Sequence, residues 1–210
     1  MTREISDIIL RKLAKHYGDV VPDLKYVDVY QLSVAVVLSA QTTDVQVNRV
    51  TPELFSRYPD FAALSAAKIR DVEKIVRSTG FYRNKAKNIV NLARRVTADH
   101  GGKLPAARGE LMSLPGIGRK SANVILSVGF GIPALAVDTH IIRIAGRLGY
   151  TGSANPLTVE KAMVSFIPES MLTYAHLALI KHGRALCRAR KPLCASCPVT
   201  GECCFDGKFS

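Results

Sequence analysis

Apolar residues recur at helical spacing along most of the chain and divide it into a series of predicted helices. The first predicted helix has its apolar positions at Ile5, Ile8, Ile9 and Leu13, which is the spacing of an amphipathic helix. Asp28 is placed to cap a second helix over residues 29–40. This segment is apolar nearly all round and too long for a strand, so we predict a central, buried helix.

Later segments keep the same helical period. Thr43 or Asp44 is placed to cap a third helix, in which Pro52 either introduces a kink or begins a new helix. Residues 84–99 form another strongly amphipathic segment. Because no segment alternates in the manner of a strand bounded by hairpin turns, we predict an all-α fold.

Basic residues clearly outnumber acidic ones. The 210-residue chain has 29 Lys and Arg against 17 Asp and Glu, a formal net charge of +12. Such an excess favours a polyanionic partner, whereas solubility alone needs no such bias.

The sequence contains no segment typical of membrane insertion or secretion. The longest apolar run, residues 122–137, is interrupted by two glycines and a proline and is too short to span a bilayer. The N-terminus lacks the apolar block and cleavage site of a signal peptide. We therefore expect a cytoplasmic protein with no membrane partner.

Two glycines, Gly116 and Gly118, form a turn between a short helix and a longer helical pattern. Glycine allows positive φ and close approach of another backbone, and the amides that follow such a turn bind an anion such as a DNA phosphate. The basic residues Arg119 and Lys120 come directly afterwards. We predict a helix-hairpin-helix over about residues 107–130 that grips the DNA backbone without reading its sequence. An ordinary αα-hairpin with a glycine turn fits the two glycines equally well.

Five cysteines are clustered near the C-terminus, a pattern that favours metal binding over a disulfide scaffold. Four follow the spacing C-x6-C-x2-C-x5-C, namely Cys187, Cys194, Cys197 and Cys203. Four thiolates bind either zinc or an iron–sulfur cluster. Zinc ribbons usually use two C-x2-C pairs and this chain has one, so the spacing favours iron–sulfur. Cys204 is left over as a bystander thiol.

Several motifs together resemble the endonuclease III family of DNA glycosylases. They are LSAQTTD at residues 38–44, LPGIGRKSANV at residues 114–124, VDTHIIRIAGR at residues 137–147, and the cysteine cluster. The similarity extends from about Leu24 to Cys203.

The resemblance implies a two-lobed helix-hairpin-helix glycosylase fold, and breaks at Pro22 and Pro133 also indicate two lobes. Residues 22–132 would form a six-helix barrel domain that contains the hairpin. Residues 1–21 and 133–210 would combine into a domain holding a [4Fe–4S] cluster, whose cysteine spacing is matched here. The active site would lie in the cleft between the two domains.

The family's catalytic lysine and aspartate fall on Lys120 and Asp138. Lysine is the protein amine that forms Schiff bases, and an aspartate can stabilise positive charge developing on the sugar. Related adenine-specific mismatch glycosylases lack this lysine, so Lys120 indicates a combined glycosylase and lyase. The residues alone favour a phosphate contact for Lys120, since surface lysines are common, and an N-cap for Asp138; the resemblance reverses the choice for Lys120.

A base inside a duplex must be extruded before Lys120 can reach it, and side chains must fill the gap. The resemblance assigns this task to Gln41 and to Phe81, where the family usually has leucine. The simpler alternatives are a polar residue at a helix C-terminus for Gln41 and a core residue for Phe81. The basic residues Arg190 and Lys191 lie between the first two cysteines, in a loop that would contact phosphate or else be a solvated charge run.

The resemblance as a whole implies a bifunctional DNA glycosylase and AP lyase of base excision repair. It would act as a monomer on damaged pyrimidines in double-stranded DNA, associated with the nucleoid of a bacterium. The alternatives are a pyrimidine-dimer glycosylase on the same scaffold and a non-catalytic DNA-binding protein.

Overall fold

The computed structural model of this protein describes residues 1–209, with side chains described as far as Gly207. Over these residues the chain forms helices and loops and no β-strand, so the prediction of an all-α fold is confirmed. Contacts divide the chain into two compact units, one of residues 1–21 with the chain from Pro133 onward, the other of residues 22–132. In the part of the chain that is described, no helix is both long and apolar enough to cross a membrane.

The helices are α1 Arg3–Tyr17, α2 Val29–Leu38, α3 Asp44–Arg57, α4 Phe61–Ser65, α5 Ile69–Val76, α6 Tyr82–His100, α7 Arg108–Ser113, α8 Arg119–Val124, α9 Thr139–Leu148, α10 Pro156–Phe166 and α11 Leu172–Ala185. A 3-10 turn, Arg77–Thr79, follows α5, and a π-helical turn, Ile125–Gly129, continues α8.

The unit that contains both chain ends is built from α1 and α9 to α11 around one apolar core. From α1, Ile9, Leu10 and Leu13 are fully buried. Ile5 and Ile8, which belong to the predicted apolar stripe, remain 37% and 36% exposed. The side of α1 that faces the core is therefore rotated from the predicted stripe toward Leu10.

The unit of residues 22–132 contains α2 to α8, and α2 is its most buried helix. Every residue of α2 from Leu32 to Leu38 is buried, which confirms the prediction of a buried helix here. Asp28 caps α2 by accepting a hydrogen bond from the amide of Gln31 at 2.8 Å. The helix ends at Leu38, two residues earlier than predicted, because the chain turns into a loop in which Gln41 has a positive φ.

Two predicted helix starts are resolved by their caps. The side chain of Thr43 accepts from the amide of Gln46, and α3 then runs through Pro52 as one helix, so no new helix begins there. Helix α6 begins at Tyr82, two residues before the predicted start, because Phe81 adopts the left-handed conformation at the N-cap position.

Candidate nucleic-acid interface and cysteine pocket

The hairpin turn between α7 and α8 is packed against two other helices of its unit. Gly116 has φ +80°, and a Cβ built on it would lie 2.9 Å from Cγ1 of Val37 on α2 and 3.0 Å from Cβ of Asn88 on α6. Ile117 is 4% exposed and anchors the turn. A glycine is therefore required at residue 116 for both its backbone conformation and its space.

Gly118 has a different role from Gly116. It occupies the N-cap position of α8 with φ −90°, it supplies no side-chain cap, and a Cβ built on it would meet nothing within 4 Å. The start of α8 is thus open on the side where a Cβ of residue 118 would lie. Arg119 and Lys120 form the first turn of α8; Arg119 is half-buried and Lys120 is exposed.

A buried polar contact holds the two helices of the hairpin together, and sequence reasoning missed it. Asn123 of α8 is 1% exposed and accepts a hydrogen bond from Nε of Arg108, the first residue of α7, at 2.8 Å. The sequence feature that could have predicted this contact is an asparagine on the otherwise apolar inner side of the second hairpin helix. Buried polar side chains are almost always hydrogen-bonded, so such an asparagine needs a partner.

Asp138 belongs to the other unit and is the N-cap of α9. Its Oδ1 accepts a hydrogen bond from the amide of Ile141 at 2.9 Å, and the residue is half-buried. The preceding segment, residues 134–137, is buried, and the carbonyl of Ala136 lies 3.0 Å from Nδ1 of His176 on α11. The capping role that the residue type allowed is thus present, and a buried segment fixes the position of the carboxylate.

Gln41 and Phe81 lie in two loops of the unit of residues 22–132. Gln41 has φ 53° and Phe81 has φ 46°, and both are exposed, Phe81 by 66%. The alternative interpretation of Phe81 as a core residue is therefore wrong, and Gln41 lies three residues beyond the end of α2. A large apolar side chain held out into solvent in a strained conformation indicates a contact surface.

Sequence reasoning also missed Lys85, which is 4% exposed. It lies four residues before Ile89 on the apolar stripe of α6. A lysine on such a stripe is the sequence feature that could have predicted its burial.

The four predicted metal ligands line one pocket in the unit that contains both chain ends. Cys187, Cys194, Cys197 and Cys203 are all half-buried, and the apolar walls of the pocket include Ile144, Leu148 and Val199. Cys204 is exposed and does not line the pocket. Among the described residues, no three His, Cys, Asp or Glu side chains are grouped closely enough to hold a single metal ion.

Polar groups around this pocket are directed at the cysteine sulfurs. Arg147 places one guanidinium nitrogen 3.3 Å from Sγ of Cys187, and Nε2 of His182 lies 3.6 Å from Sγ of Cys197. Burial, with His16 nearby, lowers the pKa of His182 to about 4, so its imidazole is neutral at pH 7.

The other ring nitrogen of His182, Nδ1, faces a tyrosine hydroxyl. The hydroxyl of Tyr17 lies 2.9 Å from Nδ1 of His182, and burial beside Cys197 and Cys187 raises the pKa of Tyr17 to about 12. Tyr17 therefore remains a phenol that can donate to Nδ1. When it does so, the imidazole proton is on Nε2, which faces Cys197. A ligand sulfur with a donor behind it is typical of a metal site.

The basic loop between Cys187 and Cys194 is closed by its own backbone. The amide of Leu193 donates to the carbonyl of Leu186 at 2.9 Å. Arg190 and Lys191 are exposed at the tip of this loop, and Lys191 has φ 50°. Among residues 1–209, the non-glycine residues with positive φ are Gln41, Phe81 and Lys191, and all three are candidates for DNA contact from the sequence.

Comparison with known proteins agrees with these features. A family model described as HhH-GPD superfamily base excision DNA repair protein matches residues 34–169. The Endonuclease III of Synechocystis sp. is 44% identical over 196 residues, covering 93% of this chain and 90% of the relative.

Two solved structures match the fold with a TM-score of 0.90 and 41% sequence identity. One is a non-covalent Endonuclease III–DNA complex, and the match covers 97% of this chain and 95% of that one. The other is a trapped Endonuclease III–DNA covalent intermediate, covered to 97% and 96%. The chain therefore belongs to the HhH-GPD superfamily of base excision DNA repair proteins and, within it, to the endonuclease III family. The resemblance inferred from the sequence motifs is thereby confirmed.

Proposed function

We propose that this protein is a bifunctional DNA glycosylase and AP lyase that removes damaged pyrimidines from duplex DNA. The observation that carries the proposal is the position of Lys120, exposed in the first turn of α8 directly after a hairpin turn that is packed against α2 and α6. The similarity to solved complexes of Endonuclease III with DNA, one of them a covalent intermediate, supports it.

Lys120 acts as the nucleophile. Its neutral amine attacks C1′ of the damaged nucleotide, the bond from C1′ to the base breaks, and the base leaves with the electron pair and takes up a proton. Opening of the sugar gives a Schiff base between Nζ and C1′. The imine acidifies the C2′ proton, and its removal expels the 3′ phosphate by β-elimination. Water then hydrolyses the Schiff base and releases the lysine.

Asp138 serves as both cap and catalytic carboxylate in this proposal. One oxygen holds the start of α9 through the amide of Ile141. The carboxylate stabilises the positive charge that develops on the sugar as the base leaves, which is an electrostatic effect of a fixed charge.

The remaining residues hold and distort the DNA. The hairpin with Gly116, Gly118 and Arg119 grips the phosphate backbone, as do Arg190 and Lys191, without reading sequence. Gln41 and Phe81 fill the gap left by the extruded base. The lesion-containing strand of chromosomal DNA is then the substrate, and the nucleoid would be the place of action.

Cys187, Cys194, Cys197 and Cys203 would hold a [4Fe–4S] cluster. The donor set fits, because four thiols line one pocket with apolar walls, a guanidinium nitrogen of Arg147 donates to one of the sulfurs, and a ring nitrogen of His182 lies 3.6 Å from another. The cluster would supply structural cross-linking of the C-terminal loops, since metal binding of this kind is coupled to folding. Burial raises the pKa of the Cys197 thiol, so cluster assembly must displace a proton there.

Borohydride trapping tests the catalytic proposal. Reduction should link the wild-type protein covalently to a duplex containing an oxidised pyrimidine, and the Lys120→Ala variant should bind the same duplex without being trapped. Arg119→Ala is the matched control, since it alters the neighbouring basic residue of the same turn and should weaken binding while trapping persists.

The outcomes separate the candidate functions. Undiminished trapping by Lys120→Ala removes Lys120 from its role. Absence of cleavage on every lesion, with DNA binding intact, favours the non-catalytic DNA-binding protein. Cleavage confined to cyclobutane dimers in a panel of single-lesion duplexes favours the pyrimidine-dimer glycosylase.

A further inference from the structure

One buried lysine joins the two loops that carry Gln41 and Phe81. Lys85 of α6 is 4% exposed. Its Nζ donates to the carbonyl of Thr79 at 2.6 Å and to Oγ1 of Thr42 at 2.5 Å. Thr42 follows Gln41 directly, and Thr79 precedes Phe81 by two residues. A single ammonium group therefore contacts both loops close to the exposed side chains.

The two loops are also bonded to each other. The hydroxyl of Thr42 donates to the carbonyl of Thr79, which closes a triangle with Lys85. A second link runs from Nε2 of Gln46, on α3, to Oγ of Ser78 at 2.6 Å. The loop from Ser39 to Thr43 and the loop from Arg77 to Phe81 thus form one hydrogen-bonded body.

Stability alone gives little reason for a lysine at this position. Burial lowers the pKa of Lys85, because a buried ammonium has lost water, and its hydrogen-bond partners Thr42 and Thr79 carry no negative charge to compensate. An apolar residue on the stripe of α6 that includes Ile89 would avoid this desolvation cost. What the lysine contributes instead is a pair of charge-assisted hydrogen bonds to two loops.

The backbone of both loops needs such support. Gln41 has φ 53°, Gly80 has φ 65° and Phe81 has φ 46°. A non-glycine residue in this region costs on the order of 1 kcal/mol or more, and it persists only where its surroundings fix it. The bonds from Lys85 and Thr42 lie within two residues of each strained position.

We propose that Lys85 is a positioning residue that holds Gln41 and Phe81 at a fixed separation, ready to enter the duplex together when a base is extruded. The inference rests on the proposed function, in which these two side chains fill the gap. A preset pair loses less conformational freedom on entering DNA than two independent loops would. Lys85 touches neither the base nor the sugar and acts only through the two loops.

The test compares a reaction that needs extrusion with one that does not. The first measurement is single-turnover excision of thymine glycol from a duplex, with 2-aminopurine opposite the lesion as a fluorescent reporter of disturbed stacking. The second is borohydride trapping on a single-stranded oligonucleotide with an abasic site, which needs Lys120 and has no base pair to open.

Four variants are informative. Lys85→Met keeps the length of the side chain and removes the donor. Thr42→Val removes the hydroxyl at constant shape, and Thr42→Ser keeps it. Ser33→Ala is the control, because it removes another buried hydrogen bond of the same unit, from Ser33 to the carbonyl of Tyr30, that touches neither loop.

Lys85→Met and Thr42→Val should lower the rate of excision from the duplex by about tenfold or more, because part of the energy needed to unstack the base is no longer recovered. Both variants should also reduce the change in 2-aminopurine fluorescence. Trapping on the single strand should stay within about twofold of wild type. Thr42→Ser should restore the duplex rate, and Ser33→Ala should leave the ratio of the two reactions unchanged.

Other outcomes overturn the inference. If Lys85→Met folds and retains wild-type excision and fluorescence, Lys85 does not position the loops. If Lys85→Met fails to fold, the pair Thr42→Val and Thr42→Ser decides, and equal duplex rates for the two refute the proposal. A wild-type protein that traps neither substrate refutes the proposed function instead, so the two failures are distinguishable.

Discussion

Gly116 of the hairpin turn lies against Val37 of α2, so closely that a Cβ on the glycine would be 2.9 Å from Cγ1 of the valine. Gly116→Ala should therefore distort the turn. The clash and the positive φ should together destabilise the protein by about 2 kcal/mol or more, and DNA affinity should fall, measured by thermal unfolding and by fluorescence anisotropy.

Gly118→Ala is the matched control for this change, because its φ is −90° and a Cβ there meets nothing within 4 Å. It should leave stability within about 0.5 kcal/mol of wild type. Equal losses of stability for the two alanine variants would mean that packing against Val37 does not set the turn.

The capping and catalytic roles of Asp138 can be separated by two substitutions. Asparagine caps a helix about as well as aspartate, whereas alanine loses about 1 kcal/mol. Asp138→Asn should keep wild-type thermal stability and lose about 100-fold in single-turnover excision, and Asp138→Ala should lose both. If Asp138→Asn excised the base at the wild-type rate, capping of α9 would be the only role of Asp138.

Phe81 should matter for excision and hardly at all for folding. Because its side chain is 66% exposed, Phe81→Ala should change the free energy of unfolding by less than about 0.5 kcal/mol, while excision from duplex DNA falls by about tenfold. Phe61→Ala is the control, since Phe61 is 4% exposed and its loss should cost about 3 kcal/mol or more. A strongly destabilised Phe81→Ala would argue against an exposed wedge.

The basic loop should contribute to DNA affinity through Lys191. Lys191→Glu should weaken binding to undamaged duplex and reduce the slope of log K against log salt by about 1, while cluster absorption is retained. Lys161→Glu makes the same change of charge at an exposed position on α10 of the same unit. If both variants lose affinity equally, the effect is one of net charge and the loop has no specific contact.

The metal assignment predicts the colour of the purified protein. A [4Fe–4S] protein absorbs broadly near roughly 400 nm, and a colourless protein with stoichiometric zinc would refute the cluster. Cys197→Ser should lose this absorption and unfold at lower temperature, because one lost ligand frees the whole loop. Cys204→Ser should retain it, since Cys204 does not line the pocket.

Features that depend on neighbouring residues could be predicted from the sequence. The period of the apolar positions was enough to predict an all-α fold, and the caps at Asp28, Thr43 and Asp138 follow from residue type next to a helical pattern. The spacing of the four cysteines and the order Gly116, Gly118 and Lys120 are likewise local, so they are enough to indicate the family.

Features that depend on contacts between distant segments could be established only from the fold. The apolar period of α1 did not predict that Leu10 is a core residue. Its burial depends on the helices that pack against α1. The exposure of Phe81 could not be read from its type, since an apolar side chain is usually buried and only the left-handed turn directs this one into solvent. The hydrogen bonds of Lys85 to Thr42 and Thr79 span 43 and 6 residues. No local sequence pattern predicts these three residues to be in contact, because the contact forms only when α2, α5 and α6 have packed together.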